Sequence, residues 1–527
     1  MRGIASLVLG IFAIISVALL QGVAIGVGEY TLALIAFNAI AITIFTLVRP
    51  EFGIFFYLII MYFERFLPLE YQPSRYVEGI GFGLNVSNLI LLLVFGSWIV
   101  RLVLTRDRKS LWLPSGRFGK LVVVYLAMVT FALLNILFAR MVLHVPYLWE
   151  SPTYLISLWR NAVLVPLLAV VIMQSKLSPR FVNRLAALYV VAMVALAVWS
   201  VVTLVQAFAS GAIYHEIAAI LRGAPIDLAM TSLAFVGVCV AMMILSKGPI
   251  ARFLWLIPLV AILAGIAYME RRATYIGVVL EFLVVLYIIG RRDHRYRPAV
   301  NAALVVGAIA AAIATPIVVI DRLAYTVQVV GGEYTLEGSA AIRLKLWGFV
   351  FSGMIERWWS IPFGNGLAFA SSAFTRSAGF GGFSVHNMWL NAFVDYGIFG
   401  VIVIALIYYE IFRLHYATAR QSTDRTIVAF SLSIAAIIIA VQPWVLTHTA
   451  GFGGQYGTLL FVWTAAYIPL MRSGGPLARM YLPLHKCNGT EYLGYDPRDD
   501  SEIDGDVEDP IRRKRHPRHE RTESAIY

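Results

Sequence analysis

The sequence is short of charge and almost free of cysteine. Charged residues make up 14% of its 527 positions, whereas a typical soluble domain contains about 25%. So few charges cannot cover a globular surface, which argues against a soluble fold. The two cysteines, Cys239 and Cys487, lie in an apolar run and in the polar C-terminal segment. Two thiols so placed provide no disulfide framework.

Long apolar runs take the place of charge. Hydrophobic residues make up 60% of the sequence, and the mean hydropathy is +0.78. Runs of about 20 apolar residues are long enough to cross a bilayer as helices. Strands of a membrane β-barrel would instead alternate apolar and polar residues over about 10 positions. The pattern predicts an all-α polytopic membrane protein with about 12–14 transmembrane helices.

The positions of the basic residues predict the topology. Lysine and arginine gather in every second short loop, for example at 106–120, 291–297 and 413–425. Loops of this kind face the cytoplasm, so both termini are predicted to be cytoplasmic. The net charge of +12 is then explained by topology, and no nucleic-acid partner is expected.

The same pattern divides the chain into four parts. Residues 1–320 are predicted to form the N-terminal part of a transmembrane helical bundle, and residues 386–472 its C-terminal helices. Between them, residues 321–385 are predicted to form one large helical loop on the outer face. Residues 473–527 are first acidic and then basic, a composition that cannot bury a core. They are predicted to be a disordered cytoplasmic tail.

Several basic residues fall on the outer face, against the topological bias. They are Arg140, Arg160, Arg222, Arg271, Arg272, Arg322, Arg343, Lys345, Arg357 and Arg376. An anionic ligand at the outer leaflet would explain them. Arg271 and Arg272 sit between two apolar runs with almost no loop, and planar guanidinium groups suit phosphate. The alternative is a helical hairpin whose arginines reach lipid headgroups; for Arg160 and Arg222 both interpretations stay open.

Glu281 lies in the middle of an apolar run, where an ionisable residue is a functional candidate. It could be a proton-coupling carboxylate of a transporter, or a protonated group bonded to a neighbouring helix. No other deeply placed acidic residues form a relay with it. The sequence therefore favours the protonated, helix-bonding role.

The segment 343–400 contains the most informative spacing in the chain. It reads Arg343-x-x-x-Trp347, then Pro362-Phe-Gly364-Asn-Gly366, then His386-Asn387-x-x-Leu390, then Asp395-Tyr-Gly-Ile-Phe-Gly400. This region resembles the signature of the O-antigen ligase and polymerase family, bacterial membrane glycosyltransferases with a GT-C-like architecture. The segment 270–277 is similar to an arginine-containing hairpin of that family, with Arg272 in the arginine position. Glu270-Arg271 replaces the usual serine there, which is a departure.

The resemblance implies transfer of a glycan from an undecaprenyl-diphosphate carrier to an acceptor hydroxyl. The reaction would take place on the periplasmic face of the bacterial inner membrane, without a metal ion or another cofactor. His386 would be the catalytic base. The diphosphate would be held by Arg272 and Arg343, with Arg222 and Arg271. Supporting residues would be Asn387, Arg160, Gly364, Gly366 and Trp347, while Trp358 and Trp359 are interpreted as interfacial anchors.

The resemblance leaves the acceptor open. It could be the lipid A core of lipopolysaccharide, a growing polysaccharide or a protein hydroxyl, so ligase, polymerase and protein-glycosylating activities all remain. The expected partners are the lipid-linked donor, the acceptor and membrane lipids. The alternative of another class is a transporter or flippase for a lipid-linked or anionic substrate. A transporter should show internal repeats and charges along a central path, whereas the basic residues here gather on one side.

Overall fold

The fold comes from a computed structural model. The structure describes residues 44–46, 49–63, 86–105, 116–142, 152–175, 177–211, 227–268, 272–314, 327–330, 333–336, 338–369, 385–446, 452 and 454–472. The predicted spans before residue 44 and the predicted disordered tail, 473–527, lie outside the described residues.

The described part is overwhelmingly helical. The helices, in chain order, are α1 (Pro50–Phe63), α2 (Val86–Thr105), α3 (Arg117–Met141), α4 (Pro152–Gln174), α5 (Pro179–Ala209), α6 (Asp227–Leu245), α7 (Pro249–Tyr268), α8 (Arg272–Arg292), α9 (Arg297–Ala314), α10 (Gly338–Glu356), α11 (Met388–Gln421), α12 (Arg425–Ala440), α13 (Gln442–Val445), α14 (Gly454–Gly457) and α15 (Trp463–Arg472). Single turns of 3₁₀-helix cover His294–Tyr296 and Trp358–Ser360, and a π-helical turn, Thr458–Val462, joins α14 to α15.

Seven of the described helices are long and apolar enough to cross a membrane. They are Arg117–Met141, Pro152–Gln174, Arg180–Ala209, Pro249–Ala267, Ala273–Arg292, Met388–Gln421 and Arg425–Val445. The predicted multi-pass helical membrane protein is thereby confirmed. The total of about 12–14 spans stays a prediction, since part of the chain lies outside the described residues.

The outward faces of these helices are apolar, as a lipid environment requires. α7 exposes Ile250, Phe253, Leu254 and Ile257, each with more than half of its surface uncovered. These positions follow the i, i+3, i+4, i+7 spacing of a single helix face. In water such a face would be unstable, and in hydrocarbon it costs nothing to expose.

The centre of the bundle is built around α6. It packs against α7, α8 and α12, while α11 packs against α3 and α12. Large aromatic side chains fill the interior, including Tyr189, Phe430 and Trp463, whose ring centroids lie 5.0–6.1 Å apart. These rings belong to α5, α12 and α15 and pack those three helices together.

The predicted outer loop contains a strand pair as well as a helix, so it is not wholly helical. Val327–Val330 and Glu333–Leu336 form an antiparallel hairpin in which Val327 pairs with Leu336. Valine, tyrosine and threonine at these positions favour strands, and the sequence places Gly331-Gly332 between them. The helical prediction missed this short signal.

A small second core lies at the end of the bundle where α3 ends and α4 and α11 begin. We call it the end cluster; its buried members are Ala132, Leu133 and Ile136 of α3, Leu155 of α4, Val350 and Met354 of α10, Leu390 and Val394 of α11, and Leu367, Ala368, Phe369 and Val385. It joins α10 and the segment before α11 to the membrane helices. The candidate site is assembled on this cluster.

Candidate functional site

His386 occupies a strained position directly before a helix. Its φ is +50°, in the left-handed region that few residues other than glycine adopt. Strain of this kind persists only where the surrounding structure imposes it, and it is concentrated at functional sites. Here the neighbours of His386 on both sides are held in place. Val385 is fully buried in the end cluster, and Asn387 begins α11.

Asn387 is the N-cap of α11. Its Oδ1 accepts a hydrogen bond from the backbone N of Leu390, at 3.0 Å. This contact satisfies one of the N–H groups that every helix start leaves without a partner. The resemblance made Asn387 a supporting residue of the site. The structure adds a capping role, which occupies the amide oxygen.

Trp347 ties α10 to the backbone beside His386. Its Nε1 donates a hydrogen bond to the carbonyl oxygen of Val385, at 2.9 Å. Arg343 lies four residues earlier on α10, and residues spaced by four share one helix face. The bond from Trp347 therefore brings the face that carries Arg343 up to His386.

The electrostatics of His386 follow from this arrangement. Partial burial lowers the pKa of His386 below its ordinary value of 6.5, because the charged imidazolium loses water. The positive charge of Arg343 lowers that pKa further. Both effects act in the same direction, so the imidazole is neutral near pH 7. A neutral imidazole can accept a proton.

α11 breaks its own helix eleven residues after His386. Gly397 has φ +71° and ψ −171°, which no helical residue adopts. The break leaves two backbone N–H groups without their helical acceptors. The N of Ile398 donates instead to the carbonyl of Ile361 at 2.8 Å, and the N of Phe399 donates to the carbonyl of Pro362 at 3.2 Å.

The carbonyl groups freed by the kink are also satisfied. In an unbroken helix Val394 and Asp395 would accept from residues 398 and 399. Here Asn365 donates its backbone N–H to Val394 at 2.8 Å, and Gly366 donates to Asp395 at 3.1 Å. We call the segment 361–368 the glycine turn. It packs against the break in α11, and its backbone groups form hydrogen bonds in place of those that the break removes. The kink is stabilised rather than flexible.

Glycine is required where the turn and the kink touch. Gly364 has φ +78°, and a Cβ there would lie 2.5 Å from backbone atoms of Asp395 and Tyr396. Gly366 has φ +109°, and a Cβ there would lie 2.9 Å from Ile136 of α3. The two glycines that the resemblance placed beside the site therefore let the glycine turn approach two helices at backbone distance.

Asp395 is a site residue that sequence reasoning left without a role. Its side chain is buried, and Oδ2 accepts a hydrogen bond from the backbone N of Ala368, at 3.0 Å. Ala368 also has a positive φ, of +62°. Asp395 therefore holds the far end of the glycine turn on α11. The Asp-Tyr-Gly sequence was visible, but its partner lies 27 residues away.

Arg160 is buried near the start of α4, with 6% of its surface exposed. Its Nη2 donates to Ser157 Oγ at 3.0 Å and to Asn161 Oδ1 at 3.2 Å. The neighbouring Trp159 packs against the end cluster. Arg160 is thus held by side chains of its own helix, on an element that contributes to the site.

Three of the predicted arginines cannot be compared in the same way. Arg272 is the first residue of α8, and the structure describes its backbone alone. Arg222 and Arg271 lie outside the described residues. The structure therefore places Arg343 and Trp347 beside His386 and Asn387. Gly364 and Gly366 lie further along, where the turn contacts α11 and α3, and the placement of the other arginine side chains stays a prediction.

Glu281 contacts a neighbouring helix, and this part of its prediction is confirmed. It is fully buried, and its Oε1 lies 3.3 Å from Ser433 Oγ of α12. Ser433 Oγ also bonds the carbonyl of Ala234 on α6. A hydroxyl has a single proton, so both contacts are full hydrogen bonds only if Glu281 is protonated and donates. Gly237 leaves space for the carboxyl group of Glu281, because a Cβ at position 237 would lie 2.0 Å from Oε1.

Comparison with known proteins finds no family model that matches this chain and no curated protein with significant similarity to it.

Proposed function

We propose that the protein is a membrane glycosyltransferase. It transfers a glycan from an undecaprenyl-diphosphate carrier to an acceptor hydroxyl at the periplasmic face of the bacterial inner membrane. The observation that carries this function is the setting of His386. Its backbone is strained, the preceding Val385 is tied to α10 by Trp347, and the positive charge of Arg343 acts on its imidazole.

The reaction uses His386 as a general base. The acceptor O–H transfers its proton to the neutral imidazole while the acceptor oxygen attacks the anomeric carbon of the glycan. The bond between that carbon and the diphosphate oxygen breaks, and its electron pair leaves with the diphosphate. A base whose pKa lies below 6.5 remains unprotonated and ready at neutral pH.

Arg343 acts on both the general base and the leaving group. Its positive charge adds to the effect of burial in lowering the pKa of His386, and it stabilises the negative charge that grows on the leaving diphosphate. Such stabilisation accelerates the reaction because the charge is larger in the transition state than in the bound donor. Arg272 at the start of α8, with Arg222 and Arg271, completes the diphosphate clamp that the resemblance implies.

The surroundings of Glu281 favour this function over the transporter alternative. A proton-coupling carboxylate needs a path that carries protons to and from it. Glu281 instead packs against Gly237 and bonds Ser433, with no exposed surface. Among the described residues this is the environment of a neutral group that joins α6, α8 and α12.

Purified protein in liposomes that contain an undecaprenyl-diphosphate glycan tests the function. His386→Ala and Arg272→Ala are each expected to abolish transfer, and Arg343→Ala to slow it, while the variants still insert and purify. Lys345→Ala is the matched control, because Lys345 is exposed on the same helix as Arg343 and should retain activity. A wild-type rate from His386→Ala would refute the mechanism.

The product of the same assay identifies the acceptor class. A longer lipid-linked glycan identifies a polymerase. Transfer to the lipid A core identifies a ligase, and transfer to a protein hydroxyl identifies a protein-glycosylating enzyme.

A further inference from the structure

α10 has three distinct faces, and one of them is buried in protein. Leu346, Val350 and Met354 recur every four residues, and each has 2% or less of its surface exposed. They pack on the side of the helix that also carries Arg343 and Trp347. Val350 and Met354 of this face are members of the end cluster, and Trp347 packs against it.

The second face is apolar and uncovered. Leu344, Phe351 and Ile355 have 52%, 51% and 72% of their surface exposed. At 100° per residue these three positions point within about 40° of one another. The following 3₁₀ turn adds Trp358 and Trp359, exposed by 70% and 65%. Together these five side chains form what we call the apolar strip.

The third face is mostly polar and also uncovered. Lys345, Ser352 and Glu356 are exposed, and their helical positions lie about 100° around the helix from the apolar strip. Phe349, 40% exposed, lies at the edge of this face that is farthest from the strip. α10 therefore presents an apolar surface and a charged surface side by side, with neither covered by the described part of the protein. A helix wholly in water or wholly in hydrocarbon would not have both.

The apolar strip continues onto the surface of a membrane helix. Phe363, which follows the two tryptophans, is 62% exposed, and its ring centroid lies 6.2 Å from that of Phe399 on α11. Phe399, Ile398 and Ile402 are exposed by 43–50%. α11 is one of the seven helices able to cross a membrane, so these side chains belong to its lipid-facing surface. The strip is an extension of that surface.

We propose that α10 lies in the membrane interface, with the apolar strip buried in bilayer lipid and the polar face in water. The occupant of the strip is lipid, because Phe363, the next exposed aromatic side chain after the two tryptophans, contacts Phe399 on the lipid-facing side of α11. Trp358 and Trp359 are consistent with a position at the membrane interface, since tryptophan is enriched where hydrocarbon meets headgroups. Lys345 and Glu356 remain in water, as in amphipathic helices that lie on membranes. This inference does not depend on the reaction that the protein catalyses.

Site-directed spin labelling in liposomes tests the inference. Cys239→Ala and Cys487→Ser remove the native thiols, and a nitroxide is attached at Ile355→Cys in one protein and at Ser352→Cys in another. The two positions are three residues apart on α10 and both are exposed. The label at 355 is expected to respond more to oxygen than to a water-soluble nickel chelate, and the label at 352 the reverse.

Two results would overturn the inference. In the first, both labels have the same preference for the water-soluble chelate. In the second, the label at 355 shows spin–spin broadening that disappears when labelled protein is diluted with unlabelled protein, which identifies a second copy as the occupant.

An independent measurement covers the case in which a label disturbs the helix. Brominated lipids quench nearby tryptophan fluorescence, and a Trp358→Phe, Trp359→Phe double variant should lose part of the quenched signal. Equal fractional quenching in the wild type and the double variant would also contradict lipid contact.

Discussion

Replacing Gly397 with alanine should break the contact between the glycine turn and α11. The backbone of Gly397, at φ +71° and ψ −171°, lies in a region that residues with a Cβ rarely enter. A Cβ at this position would also lie 2.4 Å from the carbonyl oxygen of Pro362 and 2.5 Å from the N of Gly364. These are backbone atoms, so no side-chain rotation can relieve the clash.

The expected cost is the sum of two effects. Forcing alanine into this backbone conformation costs about 1–3 kcal/mol. Relieving the clash requires the turn to withdraw, which removes the hydrogen bonds from Ile398 to Ile361 and from Phe399 to Pro362. Each such bond contributes about 1 kcal/mol. Gly397→Ala is therefore expected to destabilise the protein by about 3–5 kcal/mol.

Thermal unfolding in detergent measures this effect. At about 2–4 °C for each kcal/mol, the melting temperature of Gly397→Ala should fall by on the order of 10 °C. Gly348→Ala is the matched control, because a Cβ at Gly348 of α10 meets no heavy atom within 4 Å. Alanine in a helix interior is favoured over glycine by about 0.5–1 kcal/mol, so the control should melt at or slightly above the wild-type temperature. Equal melting of Gly397→Ala and wild type would refute the interlocked kink.

Three further outcomes are expected. The transfer rate should fall as the pH drops through the lowered pKa of His386, and Arg343→Gln, which removes one cause of the lowering, should move this acid limb to higher pH in a kcat/KM profile. Trp347→Phe removes the hydrogen bond to Val385, worth about 1 kcal/mol, and should lower kcat more than it changes KM in the liposome assay. Glu281→Gln should leave the melting temperature close to that of the wild type, because a neutral amide can replace a protonated carboxyl group, whereas Gly237→Ala should lower it.

Each of these predictions has a result that would contradict it. An acid limb at the same pH in Arg343→Gln would show that the arginine does not act on His386. Full kcat in Trp347→Phe would remove the tryptophan from the positioning of the site. A large loss of stability in Glu281→Gln would mean that Glu281 is charged in the folded protein.

The membrane helices could be located from the sequence because composition alone decides where a chain enters lipid. The apolar run at 121–139 corresponds to α3, Arg117–Met141, and the run at 157–175 to α4, Pro152–Gln174. α11 extends beyond the apolar run at 386–412, to Gln421. Its polar extension is supported by Glu410, which is buried and paired with Arg413 at 2.6 Å. A hydropathy pattern scores both residues as polar and does not reveal that they pair, so it ends the apolar run too early.

The assembly of the site could not be predicted in the same way. Arg343 and His386 are 43 positions apart in the sequence, and a hydrogen bond from Trp347 to a main-chain carbonyl brings them together. Nothing in the residue type of Val385 indicates that bond. The break at Gly397 was equally hidden, because its replacement hydrogen bonds come from residues 361–366. The resemblance predicted the residues of the candidate site, and long-range backbone contacts determine how those that the structure describes are placed.

The glycine turn and the kink are a single element encoded in two separate stretches of the chain. Gly364 and Gly397 each lack a side chain because the backbone of the other segment fills that space. Their evolutionary constraints are therefore expected to be linked. In a distant relative that replaced one of these glycines, the close backbone contact would be lost, so the other position would no longer require glycine. The helix that corresponds to α11 would then be expected to straighten. Among divergent sequences, the two positions should be kept together or lost together.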